Sequence, residues 1–143
     1  MADPNCIFCK ILAGQIPSER VYEDDHAVAF LDIHPVAPGH TLLVPRSHHA
    51  NLLETPHDAL SALMAAAPNV ARAVMKATGA EGFNFVQFNG ACSGQVVFHL
   101  HFHIIPRRPG DGVSFAWRQG AYGPGGMAAL GAKVRAALQT QEP

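Results

Sequence analysis

The stretch 94–107 constrains this chain most, because three histidines in it alternate with bulky apolar residues. His99, His101 and His103 are two residues apart, and a period of two is typical of a β-strand with two unlike faces. The residues around them are aliphatic and aromatic, the types that strands favour. We therefore predict a strand that carries all three imidazoles on one face and packs its other face into the core.

Size and charge limit the classes of protein to consider. The chain has 143 residues, 48% of them apolar, which predicts one domain over residues 1–143. Ten basic residues against eleven acidic ones argue against a nucleic-acid or membrane-surface partner. No apolar run approaches the roughly 20 residues that span a bilayer, and residues 1–5 do not read as a secretion signal. We expect a cytoplasmic protein whose three cysteines are thiols or metal ligands.

The order of predicted elements indicates the fold class. A short helix over 6–14 precedes the sheet, a longer helix runs from about 56 to 79, and a final helix covers 127–138. Strands are predicted at 20–23, 27–31, 40–45, 83–88 and 94–107. This order lacks the βαβ rhythm of parallel sheets, so it predicts an α+β fold with an antiparallel sheet.

Three local signals refine these elements. Thr55 and Pro56 resemble an N-cap followed by the first helical residue. Pro68 lies inside the apolar stripe of that helix and predicts a kink or a break. The small-residue loop 89–94 predicts a tight turn between antiparallel neighbours.

The histidines and this loop together predict attack on phosphorus. Neutral imidazole is a competent nucleophile, and glycines let backbone N–H groups approach an anion closely. Gly90 and Gly94 supply those positions, and Asn89 and Gln95 add neutral donors. Because no carboxylate lies within the triad to bind magnesium, two-metal phosphoryl transfer is disfavoured.

A metal-binding strand is the alternative for the three histidines. On a strand they would span about 13 Å at roughly 3.3 Å per residue, so one ion could take two of them but not all three. At least one histidine is then left for chemistry.

Cys6-x-x-Cys9 has the spacing of half a zinc site. A pair of buried thiols on a short helix is the alternative. His48 and His99 are candidates to complete a Cys₂His₂ set.

Several further residues have two readings each. His40 could join the histidine cluster or cap a loop. Asp32 could bind a ribose or cap the loop that follows it. Phe8, Phe30 and Ile33 are ordinary core residues unless their closeness to the loop makes a base pocket.

Taken together, residues of about 6–107 resemble the histidine triad (HIT) family, in its branch of small nucleotide hydrolases with an N-terminal CxxC. The signature stands here as His99-Leu100-His101-Phe102-His103-Ile104-Ile105. Other matching segments are Asn89-Gly90, Gly94-Gln95, Phe30-Leu31-Asp32-Ile33 and Pro38-Gly39-His40-Thr41. Residues 108–143, including Trp117, form a C-terminal extension outside the signature.

The resemblance implies a fold and a site. The fold would be a five-stranded antiparallel sheet with two main helices, extended across a homodimer. His101 would be the nucleophile, with His103 and His40 near the phosphate. The matching substrate-binding positions are Ile7, Phe8, Phe30, Asp32, Ile33, Asn89, Gly94, Gln95, Val96 and His103. A structural Zn²⁺ would be held by Cys6, Cys9, His48 and His99. Val96 stands where relatives often carry a hydroxyl or an acid, which leaves leaving-group preference open.

The activity implied is hydrolysis or nucleotidyl transfer on purine nucleoside phosphoramidates through a nucleotidyl-histidine, with no organic cofactor. Dinucleoside polyphosphates or an adenylyl sulfate are alternative substrates. A nucleotide-binding regulatory protein with little turnover, and a catalytic zinc, are further alternatives.

Overall fold

The computed structural model describes residues 2–140. Its five strands are β1 (Arg20–Glu23), β2 (Ala27–Leu31), β3 (Thr41–Pro45), β4 (Gly82–Val86) and β5 (Phe102–Arg107). They form one antiparallel sheet in the order β1-β2-β3-β5-β4. The helices are α1 (Ile7–Leu12), α2 (His57–Thr78) and α3 (Gly126–Gln139). The predicted α+β class with a five-stranded antiparallel sheet is confirmed.

The sheet separates two apolar layers, because neighbouring residues of its central strands face opposite sides. Ala29 and Leu43 are register partners in the layer that packs against α2. The next pair, Phe30 and Leu42, belongs to the layer that contains α1. The amphipathic stripe of α2 closes the first layer with Leu63, Ala66, Ala67, Val70, Ala71 and Val74.

The histidine strand is shorter than predicted. Since β5 begins at Phe102, only His103 lies within it, and His99 and His101 lie in the irregular segment before it. The neighbouring strand β3 ends at Pro45, which has no N–H to continue the hydrogen bonding between the strands. The carbonyl of Pro45 accepts from the His99 ring at 3.0 Å. The alternation of faces persists: Leu100, Phe102 and Ile104 are buried in the α2 layer, and the imidazoles lie on the other side.

Two local predictions are wrong, and of the kink or break predicted at Pro68 the break is absent. The β4–β5 pairing is antiparallel as predicted, but residues 87–101 connect the strands, so there is no tight turn. Thr55 does not cap α2, because its hydroxyl donates to the carbonyl of Asn51 at 2.7 Å. α2 is not broken at Pro68, which lies on its exposed side, where the carbonyl freed by proline can bind water.

Contacts divide the chain into two compact units, one ending at Val113 and one beginning at Ser114. The first holds the whole sheet with α1 and α2. The second holds α3, close to its predicted bounds. Within residues 2–140 no helix is long and apolar enough to cross a membrane.

Candidate active site and metal centre

His101 lies directly before β5 and is oriented by its own backbone. Its Nδ1–H donates to the carbonyl oxygen of His99 at 2.6 Å, so the Nε2 atom is the unprotonated nitrogen of the ring. The side chain is 93% buried, and this burial lowers the pKa of His101 below its ordinary value. The ring is therefore neutral near pH 7 and carries an available lone pair.

His40 and His103 form a second, directional pair. The N–H of Val36 donates to Nδ1 of His40 at 3.2 Å, which leaves the proton of His40 on Nε2. That Nε2–H donates to Nδ1 of His103 at 2.9 Å. The proton of His103 is consequently on its Nε2 atom, available to a ligand. Burial lowers the pKa of His40, and burial followed by the charges of His101 and His40 lowers that of His103 to about 4.

A cavity of about 450 Å³ lies beside these rings, and His101 and His103 line it. Predicted site residues in its wall are Ile7, Phe8, Phe30, Asp32, Ile33, Gly94 and Val96. Phe8 is central to the wall: its ring stands perpendicular to that of His101 at 5.1 Å between centroids and meets Phe30 edge-on at 5.5 Å. The wall is mostly apolar and suits a flat aromatic ligand.

The four predicted metal ligands converge on one point behind the cavity. The Sγ atoms of Cys6 and Cys9 lie 3.5 and 3.6 Å from Nδ1 of His99, and Sγ of Cys9 lies 3.4 Å from Nδ1 of His48. Sulfur and nitrogen atoms bound to one tetrahedral zinc stand about 3.6 Å apart, given bonds of about 2.3 and 2.0–2.1 Å. All four ligand atoms lie within 4.8 Å of one another, so the residues can hold a metal ion.

The surroundings of these ligands also suit a metal. The Nε2–H of His99 donates to Pro45, which leaves Nδ1 unprotonated and directed at the two sulfurs. Burial raises the pKa of the Cys9 thiol, the backbone N–H of Asp3 opposes this by donating to its Sγ at 3.4 Å, and a bound metal would supply the positive charge that favours the thiolate. Asp32, His40 and His103 also bring ligand atoms within 4.8 Å, but the two histidines already hydrogen-bond each other.

The HIT domain family model matches residues 13–110. This chain belongs to the HIT family.

The HIT family includes nucleotide hydrolases. Adenylylsulfatase HINT3 of Arabidopsis thaliana is 44% identical to this chain over 107 residues. The match covers 75% of this chain but only 54% of HINT3, so it spans about half the length of that relative. A HIT family member from Bacillus subtilis has a crystal structure with a TM-score of 0.87 and 41% identity, covering 97% of this chain and 99% of that one. A zinc-bound histidine triad family protein from Mycobacterium smegmatis aligns with a TM-score of 0.74 and 37% identity over 93% of this chain and 97% of that one.

Asp32 of this HIT protein makes the predicted loop-capping contact, and its binding of a ribose stays a prediction. Its Oδ1 accepts from the N–H of His34 at 2.8 Å, which is the loop-capping contact. Its Oδ2 lies 3.6 Å from Nδ1 of His40, and the residue lines the cavity. One carboxylate oxygen thus fixes the loop while the other remains near the cavity.

The side chains of Asn89 and Gln95 are committed to the loop rather than to the wall of the cavity. Asn89 accepts from the N–H of Leu52 at 2.9 Å. Gln95 is buried, accepts from the N–H of Gly90 at 2.8 Å and donates to the carbonyl of Ala50 at 2.6 Å. These bonds fix the glycine loop and tie it to residues 50–52, and the predicted contact of both amides with a nucleotide stays a prediction.

Sequence reasoning missed part of the wall of the HIT cavity. The additional lining residues are Ile11, Ile16, Pro17, Ser18, Leu31, His34, Leu42, Phe88 and Val97. Ile11 could have been found, since it follows Ile7 by one helical turn on the same face of α1. Leu42 lies in the wall because it is the register partner of Phe30, a pairing that only the folded sheet defines.

Proposed function

We propose that this HIT protein hydrolyses purine nucleoside 5′-phosphoramidates through a nucleotidyl-His101 intermediate. The observation that carries the proposal is the state of His101: a neutral ring, with Nδ1–H bound to a backbone carbonyl and Nε2 unprotonated, in the wall of a ligand-sized cavity. A nucleophile of this kind needs no separate base.

The proposed reaction has two displacements at phosphorus. Nε2 of His101 attacks, the P–N bond of the substrate breaks, and the amine leaves with its electron pair and takes a proton. Water then attacks the same phosphorus, the bond to His101 breaks, and a nucleoside monophosphate is released while the proton of water passes to solvent. His103 stabilises both steps by donating its Nε2–H to a phosphate oxygen, because His40 holds the opposite nitrogen as an acceptor.

The remaining parts of the nucleotide match the other parts of the cavity. The purine packs between the apolar side chains around Phe8 and Phe30, and Asp32 accepts from ribose hydroxyls. The N–H groups of residues 93–95 donate within the loop, so the N–H of Val96 approaches the phosphate. Val96 is 86% exposed at the cavity and has no proton to give, so the leaving group receives its proton from solvent.

Zinc is the metal that we propose for the four-ligand cluster. Two cysteines and two histidines complete a tetrahedral shell with no open position, which is the arrangement of a structural site. When bound, the ion would cross-link α1 to the segment before β5. Because Cys6 and Cys9 flank Ile7 and Phe8, the ligands hold the start of the cavity wall.

An adenylyl sulfate is the second candidate substrate, and the similarity to the Arabidopsis adenylylsulfatase favours it. Dinucleoside polyphosphates have the same reacting phosphorus and are the third. A protein that binds nucleoside monophosphates tightly but turns over none of these substrates would be a regulatory binding protein instead.

The test is trapping of the intermediate. Adenosine 5′-phosphoramidate is mixed with the wild-type protein, with His101→Ala and with His26→Ala, a matched control whose histidine is exposed in the β1–β2 loop. Intact-mass spectrometry after a rapid quench in denaturant at alkaline pH, where a P–N bond to histidine survives, should find the adenylylated protein in the wild type and the control only. Turnover by a folded His101→Ala variant at the wild-type rate would rule out the proposed nucleophile.

We also propose a cytoplasmic homodimer whose sheet continues from one protomer to the other. β4 is an outer strand, and its Phe83 and Phe85 are 41% and 39% exposed, which leaves apolar surface for a second copy. Sedimentation equilibrium should give twice the mass of the 15.2 kDa chain, and a monomer at micromolar concentration would contradict the dimer.

A further inference from the structure

His99 belongs to two sites at once. Its Nδ1 atom lies 3.5 and 3.6 Å from the Sγ atoms of Cys6 and Cys9. Its backbone carbonyl accepts the Nδ1–H of His101 at 2.6 Å. A movement of His99 that follows the loss of a metal would therefore change the acceptor that defines the tautomer of His101.

Phe8 makes a second connection between the two sites. It lies between the two cysteines in sequence, and its ring contacts His99 at 5.9 Å and His101 at 5.1 Å, both edge-on. Its place in the cavity wall thus depends on where the start of α1 is held.

α1 cannot hold that position by its own stability. It has six residues, and isolated helices shorter than about 12–15 residues are marginal in water. Its C-terminal end is fixed by Arg20, whose guanidinium donates to the carbonyls of Ile11 and Leu12 at 2.7 and 3.0 Å. At its N-terminal end the cysteines make thiol–imidazole contacts, which are weak compared with metal–thiolate bonds.

From these contacts we propose that metal binding at Cys6, Cys9, His48 and His99 positions the nucleophile and the base wall, so that occupancy of the metal site controls nucleotide affinity. His99 is the positioning residue: it touches the metal with its side chain and His101 with its main chain. The proposal deepens the proposed function and rests on it for the nucleotide, but the state of His101 can be measured without one.

The first measurement follows the His101 ring itself. Long-range ¹H–¹⁵N NMR spectra of the zinc-loaded protein should show His101 locked with its proton on Nδ1. After treatment with a chelator and a reductant, the folded metal-free protein should show a mixture of tautomers or exchange broadening. Unchanged His101 signals in a folded metal-free protein would overturn the proposal.

The second measurement is the affinity for adenosine 5′-monophosphate by calorimetry. Removing zinc should raise the dissociation constant about tenfold or more, within the range of 5–150-fold typical of coupled sites, and adding zinc back should reverse the change. His48→Ala removes a metal ligand without changing the cavity wall, because His48 contacts Cys9 and His99 and does not line the cavity. It should behave like the metal-free wild type. Cys92→Ala removes an exposed cysteine outside the cluster and should behave like the loaded wild type.

Two further outcomes are also decisive. If the metal-free chain does not stay folded, the test uses protein loaded with Co²⁺ instead of zinc. Saturating nucleotide should then shift the absorption bands of the bound cobalt. An unchanged spectrum would contradict the coupling between the two sites. If the loaded protein does not bind adenosine 5′-monophosphate at all, the proposed function fails, and the NMR comparison alone decides whether the metal positions His101.

Discussion

Phe8→Leu should weaken the fold and the cavity together, because Phe8 packs edge-on against three rings. Its side chain is 94% buried, and its centroid lies 5.5, 5.9 and 5.1 Å from those of Phe30, His99 and His101. Leucine preserves apolar bulk but removes all three ring contacts.

The expected magnitude follows from these contacts. An edge-to-face aromatic pair is worth about 0.5–1.5 kcal/mol beyond its area burial, and imidazole rings fall towards the lower end. Three pairs give about 2 kcal/mol of lost unfolding free energy. For a unit of this size that is roughly 6–8 °C in melting temperature.

Urea denaturation of the zinc-loaded protein measures the loss, with Phe98→Leu as the matched control at a phenylalanine that is 50% exposed. A double-mutant cycle of Phe8→Leu with Phe30→Leu isolates their pair, and the coupling should be about 0.5–1.5 kcal/mol. Phe8→Leu should also weaken binding of adenosine 5′-monophosphate. A stability within about 0.5 kcal/mol of the wild type would refute the reasoning, since a change of that size is typical of surface substitutions.

Three further predictions concern the metal, a buried histidine and a glycine. Zinc removal under reducing conditions should lower the melting temperature of the loaded protein, because binding to the folded state alone stabilises it; an equal melting temperature with and without chelator would contradict this. Burial lowers the pKa of His103 to about 4, against 6.5 for an unperturbed histidine. Between these pH values the unfolded chain binds a proton that the folded chain does not. The free energy of unfolding therefore falls as the pH drops from 6.5 to 4. His103→Asn should therefore lose less stability than the wild type between pH 7 and 5 in urea titrations, and equal losses would exclude the effect. Gly39→Ala would place a Cβ 2.5 Å from Cγ2 of Thr78 at a φ of +90°, so it should lower the free energy of unfolding by more than about 2 kcal/mol. Gly90→Ala has a similar φ but open space around the Cβ, so its loss of stability should be smaller. The reverse order in thermal melts would contradict the clash.

Much of the fold could be predicted because its signals are local. The polar and apolar alternation around His101 gave the two faces of that segment, and both faces hold although the strand itself begins at Phe102. The start of that strand could not be predicted, because it depends on where the partner strand stops at Pro45. The unbroken course of α2 through Pro68 likewise depends on which side of the helix faces solvent.

By itself, the sequence determined the sheet class and which side chains could do chemistry, since periodicity and residue type are properties of the chain alone. Only the tertiary structure decided which partner each of the three histidines has. His99 turns to the cysteines and His101 lines the cavity, while His103 pairs with a histidine 63 residues away. The physical reason is that a proton's place on an imidazole is set by the partner of the other nitrogen, and those partners meet only when distant segments pack.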